Sequence, residues 1–154
     1  MSVPPRIIYN YTTTKIMSRK DTYHELVKEI LIQEGWTITH DPYVFETDPI
    51  LSTDLGAERL IAAERGVEKI AVEIKSFLSE SQVVELEKAV GQYGIYEELL
   101  KDQEADRALY LAVPTEAFEN ILSRQVGKIA IKRFGIKLII YSLSRKEPLL
   151  WKTP

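Results

Sequence analysis

Glu73-Ile74-Lys75 places a carboxylate and an amine on one face of an extended strand, roughly 7 Å apart by strand rise. A carboxylate there can take a hard divalent cation through oxygen. An adjacent Lys can orient or deprotonate a water, or stabilise charge on a phosphate. Such a cation acidifies bound water and neutralises charge developing on phosphorus. One carboxylate is too few for this. Asp54, at the end of the preceding strand, is the natural second, with Glu58 and Asp48 as alternatives. With 17 Glu and 12 Lys, about one Glu-x-Lys triplet arises by chance. The setting carries more weight than the triplet, because a central apolar strand seldom spends two charges on one face. The plainer reading pairs Glu73 with Lys75 on a solvated sheet face.

The elements that must hold these groups follow from hydrophobic period. Tyr23, Leu26, Val27, Ile30 and Leu31 form a helical stripe over 21–33, capped by Asp21 and stopped by Gly35. His24 lies at the edge of that stripe, and Glu25 is turned toward water. Strands are expected at 36–41, 51–55, 70–77, 108–113 and 136–141, with an edge strand at 149–151. The stretch 57–65 is ambiguous: its composition suits a helix, while Gly66 allows a hairpin. A long helix is expected over 80–101, with Ser79 as cap, and two shorter ones after Pro114 and over 124–134. Gly91 and Gly94 each cost about 1 kcal/mol in mid-helix, which suggests close approach of another element. In the last helix Arg124, Lys128 and Lys132 fall in one line with Arg133 beside it, while Val126, Ile129, Ala130 and Phe134 face inward. That basic line suits nucleic-acid phosphates or, more simply, a solvated face. Early strands joined by short loops and later ones joined by helices imply a mixed α/β sheet with helices on both faces.

Composition narrows the chemistry. The chain has 154 residues, enough for one domain with an ordinary core, and residues 1–17 read as a flexible extension. No cysteine means no disulfide scaffold, no Cys-ligated metal and no thiol nucleophile. Two histidines cannot build a His-rich metal site. Apolar runs fall far short of the ~20 residues a bilayer span needs, and no leader pattern opens the chain, so a cytoplasmic protein is expected. The net charge of −3 conceals an asymmetry. Residues 21–123 carry 22 acidic and 8 basic groups, and residues 124–154 carry 1 acidic and 8 basic. An acidic body with a basic end suits a protein that holds a cation in one place and a polyanion in another.

A strand acid, then Glu-x-Lys, then a helix with Gln-x-x-x-Tyr resembles the PD-(D/E)XK nuclease superfamily through Asp54, Glu73, Lys75, Gln92 and Tyr96. More closely, the chain resembles the XisH family, the fdxN element excision controlling factors. The matching stretches are Asp21-Thr22-Tyr23-His24, 34–42 (EGWTITHDP), Asp54-Leu55-Gly56-Ala57-Glu58, 69–77 (KIAVEIKSF), Gly91-Gln92-Tyr93 and Tyr110-Leu111-Ala112-Val113-Pro114. The resemblance spans residue 18 to the end as a single domain. It implies a restriction-endonuclease-like (tRNA endonuclease-like) three-layer α/β/α fold with a mixed central sheet. It also implies Mg²⁺ or Mn²⁺ on Asp54 and Glu73, Lys75 positioning water, and Gln92 supporting it. His24 and Tyr96 would flank the site. Implied partners are DNA, a XisI-type factor and a site-specific recombinase, and many nucleases of this fold are dimers. Two features depart from the superfamily pattern. Thr53, not Pro, precedes Asp54. A hairpin turning at Gly66 would also pair Glu73 with a residue near 60 and leave Asp54 beyond the site, unless 57–65 restores the register.

Overall fold

The computed structural model describes residues 19–62, 66–144 and 147–154; the expected extension at 1–17 lies outside them. The first described helix, α1 (Arg19–Gln33), is already helical ahead of Asp21, which therefore does not cap it. Leu26, Val27, Ile30 and Leu31 are buried as the stripe requires. Gly35, at φ +95°, takes the left-handed turn out of the helix that other residues resist. Five strands follow: β1 (Thr37–His40), β2 (Tyr43–Phe45), β3 (Leu51–Thr53), β4 (Leu55–Ala62) and β5 (Gly66–Ile74). The ambiguous stretch is therefore strand. The expected single strand over 51–55 is broken at Asp54, with β3 pairing only with β2 in a small antiparallel ribbon.

After β5 come α2 (Gln82–Gln103), β6 (Arg107–Pro114), a single turn α3 (Thr115–Ala117) continued by a π-helical turn (Phe118–Leu122), α4 (Gln125–Phe134), β7 (Leu138–Tyr141) and β8 (Leu150–Lys152). The cap of α2 is Ser81, whose Oγ accepts from the Val84 amide at 3.3 Å, not Ser79. The main sheet runs β1-β4-β5-β6-β7-β8. β5, β6 and β7 are parallel, and the other neighbours are antiparallel. Parallel neighbours need crossovers, supplied by α2 and by α3–α4.

Two cores confirm helices on both faces. Ile70, Val72 and Ile74 pack with α1, and Ala71, Leu109 and Leu111 pack with α2 and α4. Glu73 shares the parity of Ala71 and points to the α2 side.

Two expectations fail on the helices. A Cβ added at Gly91 or Gly94 would meet nothing within 4 Å, so among the described residues no other element approaches there. On α4, Ala130 is buried as expected, but Val126, Ile129 and Phe134 are exposed and Gly127 is buried in their place. The reason is close packing: a Cβ at Gly127 would collide with the backbone of Ile121 and Leu122. The helix seats on its smallest residues, which turns its large ones outward.

Candidate active site

The β4–β5 register decides where Asp54 stands. Leu55 pairs with Val72, Gly56 with Ala71 and Ala57 with Ile70. Continued one step, that register brings Asp54, in the bend before β4, opposite Glu73, near enough for its charge to act on the Glu73 carboxyl. Leu60 pairs with Val67 and Ala62 with Gly66, a register different from that of a hairpin turning at Gly66, and it brings Asp54 toward Glu73. Asp54 Oδ2 accepts from the Ile74 amide at 2.7 Å, which pins the carboxylate to the end of β5.

Glu73 is buried. Thr53 Oγ1 donates to Glu73 Oε1 at 2.8 Å and also reaches the Val72 carbonyl at 3.1 Å. Lys75 Nζ stands 3.3 Å from Glu73 Oε2. Burial pushes the Glu73 carboxyl above the ordinary range, and the Asp54 charge adds to the push. Thr53 and Lys75 pull the other way without cancelling it. Two acids beside one ammonium leave the site short of positive charge. Thr53, which occupies the place of the superfamily Pro, thus has a role of its own: it holds one Glu73 oxygen.

Gln92 and Tyr96 lie one turn apart on α2, as their spacing requires. Burial raises the Tyr96 phenol, as do the nearby charges of Glu73 and Asp54. The Gln92 Oε1 is a buried acceptor with no protein donor. Beyond β5 the chain turns away through Phe77, buried at φ +56°, a conformation that strains a bulky side chain.

His24 closes the outer side. Its Nδ1 lies 3.9 Å from Asp54 Oδ1, and its Nε2 is 2.7 Å from Asp41 Oδ1. Lys28 Nζ donates to Asp41 Oδ2 at 2.8 Å. Burial alone would raise Asp41, but Lys28 and His24 outweigh it and lower its pKa. Glu25 does not simply face water: single donor atoms of His24, Glu25 and Asp41 fall within 4.8 Å of one another. Asp41 and Lys28 were missed in the sequence, although His24 and Lys28 at i, i+4 share a helix face and Asp41 ends the strand beside it. Tyr23, His24, Asp54, Ile74 and Ser76 line the small cleft between α1 and the sheet.

The remaining candidates lie elsewhere. Glu58 sits four residues up β4, 3.4 Å from Arg107, and Asp48 is exposed in the loop after β2. Lys128 and Lys132 border an apolar hollow beside the π-helical turn, while Arg133 lies over the Phe134 ring at 5.4 Å. Arg124 precedes α4 as its first flanking residue.

The molecule is thus a three-layer mixed α/β protein with a carboxylate–lysine cluster where β4 and β5 meet. Residues 17–148 match the family model described as XisH protein, and the chain belongs to the XisH family. It is 34% identical to an XisH family protein from Nostoc punctiforme PCC 73102, with a TM-score of 0.75 over 85% of this chain and 98% of that one. A fdxN element excision controlling factor protein from Anabaena variabilis matches at 34% identity and TM-score 0.74, with the same coverage. No curated protein matches the chain. Among the described residues, no helix is long and apolar enough to cross a membrane.

Proposed function

We propose that this XisH family member hydrolyses a DNA phosphodiester with Mg²⁺ or Mn²⁺ bound, on a restriction-endonuclease-like PD-(D/E)XK scaffold, during programmed excision of a DNA element in the cytoplasm. The observation that supports this reading is that Asp54, held by the Ile74 amide, acts by its charge on the buried Glu73 beside Lys75. The donor set fits a hard cation. It offers carboxylate oxygens in a site short of positive charge, with a buried Gln92 oxygen lacking a donor on the neighbouring helix. Asp54 and Glu73 would hold the ion, which supplies charge neutralisation at phosphate and acidification of water. Lys75 orients the attacking water and offsets charge on the phosphate. Thr53 fixes the Glu73 carboxylate, and the Ile74 amide fixes Asp54. Gln92 supports the water, with Tyr96 and His24 flanking it. Arg124 and Arg133 contact duplex phosphates, in company with a XisI-type factor, a recombinase and a second copy of the chain.

Purified protein with Mn²⁺ should nick supercoiled DNA, and Lys75→Ala should slow this by roughly 10²-fold or more. Nicking that survives the change would come from a contaminant and sink the reading.

The direct Lys75–Glu73 contact favours a second reading, a catalytically silent DNA- or partner-binding accessory factor, because the lysine partly neutralises the site by itself. Calorimetric titration separates the two. Saturable Mn²⁺ binding lost in Asp54→Asn supports the enzyme, and no saturable binding supports the accessory factor.

A further inference from the structure

A sizeable hollow lies away from the carboxylates. It has a volume of about 480 Å³ and lies between the π-helical turn, α4 and the start of β7. Its floor is Phe118, Leu122, Ile131, Ile136 and Leu138. Lys128, Lys132 and Lys152 stand on its border, and among the described residues no acidic side chain does. Among the described residues no ion pair engages any of the three lysines; Lys152 Nζ only rests 5.3 Å from the centre of the Phe118 ring.

Next around α4 from Lys132 comes Ile129, 59% exposed, and then Val126, 46% exposed. The apolar surface therefore continues from the hollow over the outer side of the helix. A small ligand would fill the hollow and leave those side chains in water. A DNA duplex would meet the lysines with phosphates but has no apolar side chain to enter the hollow. An acidic amphipathic helix satisfies both: apolar anchors at i, i+3/i+4 and i+7 fill the hollow and cover Ile129, and carboxylates pair with the lysines.

We infer that the α4 face is a docking surface for an acidic amphipathic helix of a partner protein, anchored in the hollow among Phe118, Leu122 and Ile131 and held by Lys128, Lys132 and Lys152. The inference does not rest on the carboxylate site, and it assigns Lys128 and Lys132, expected from the sequence to meet nucleic-acid phosphates, to a protein partner instead. The composition agrees, since residues 124–154 carry 8 basic groups and 1 acidic one.

The test uses the full chain, labelled with ¹⁵N, and two synthetic helical peptides. One has Leu and Phe anchors with Glu on its other faces; the second has Lys at every Glu. The acidic peptide should bind saturably and shift amides of 118–138 and 150–154, at least tenfold tighter than the basic one. The triple variant Lys128→Glu, Lys132→Glu, Lys152→Glu changes exposed residues only and should reverse that preference. Ser123→Trp, at the border of the hollow, should block the acidic peptide without reversing charge preference. Equal affinity for both peptides, or no saturable shift, overturns the inference. So does a duplex DNA that displaces the acidic peptide, or a dimer by sedimentation that dissociates in the triple variant. The first would assign the face to phosphates and the second to another copy of this chain.

Discussion

Two charged clusters sit on the same strands, about 13 Å apart along β5 by strand rise, and they are satisfied in opposite ways. At the Arg107 cluster every charge has a partner. The guanidinium, 1% exposed, donates to both Glu104 oxygens at 2.7 and 3.1 Å, to the Ile70 carbonyl at 2.8 Å, and reaches Glu58 at 3.4 Å. It also faces the Tyr43 ring at 5.0 Å. Arg107 holds the Glu104 carboxyl down to about 2. Burial, followed by the Glu104 charge, pushes the Tyr43 phenol up to about 12. At the Asp54–Glu73 cluster two carboxylates share one ammonium, and Glu73 is raised by burial and by Asp54. The first cluster joins β4, β5 and β6 into one sheet. The second is a deficit of positive charge held in place by that sheet, the kind of perturbed group that gathers at working sites.

Arg107→Ala gives the largest expected effect. Removing the guanidinium takes the main donor from Glu104, which keeps only Tyr43 and Lys69, and strips a buried donor from the Ala57 and Ile70 carbonyls; it should cost about 3–5 kcal/mol in urea unfolding. Glu73→Gln should have the opposite sign at neutral pH, because it removes a buried charge that Lys75 only partly offsets. Its melting temperature should rise by a few degrees, and a fall comparable to that of Arg107→Ala would erase the distinction between the clusters.

The pH dependences should also oppose each other. The Glu104 contribution is fully present above the unfolded value near 4.5 and is lost as pH falls from there toward 2. Glu73, whose folded pKa is raised, favours the fold at low pH and loses that contribution as pH rises through its folded value. The stability gain of Glu73→Gln should therefore grow from acid to neutral pH, while the deficit of Glu104→Gln should shrink below pH ~4.5. Both are read from melting curves across pH. The smallest effect concerns the helix beside the site. Gly91→Ala and Gly94→Ala should each stabilise by about 1 kcal/mol, since open space surrounds both positions. They should leave the Glu73→Gln gain unchanged, and a changed gain would mean that α2 shifts over the carboxylates.

Much of the site was legible from the chain alone. Alternation over 70–75 placed Glu73 and Lys75 on one face, and the i, i+4 spacing put Gln92 beside Tyr96. The Arg107 cluster was not legible, because its acids come from Glu58 and Glu104, whose partners are chosen only when β6 lies against β5. The α4 orientation was also missed. Hydrophobic period pointed Val126, Ile129, Ala130 and Phe134 inward; only Ala130 is, because the closeness of the π-helical turn seats the helix on Gly127 and Ala130.

Local pattern by itself determined the helices, the mixed order of strands and the Glu73–Lys75 pair, because periods of 3.6 and 2 are properties of neighbouring residues. Tertiary structure decided whether Asp54 joins them. A strand pairing that differs by a few residues moves a side chain along its partner by more than a carboxylate can reach, and the β4–β5 pairing selects the register. It also decided which charges are satisfied, since Arg107 and Glu73 differ in the neighbours the sheet brings to them and not in any feature of their flanking sequence.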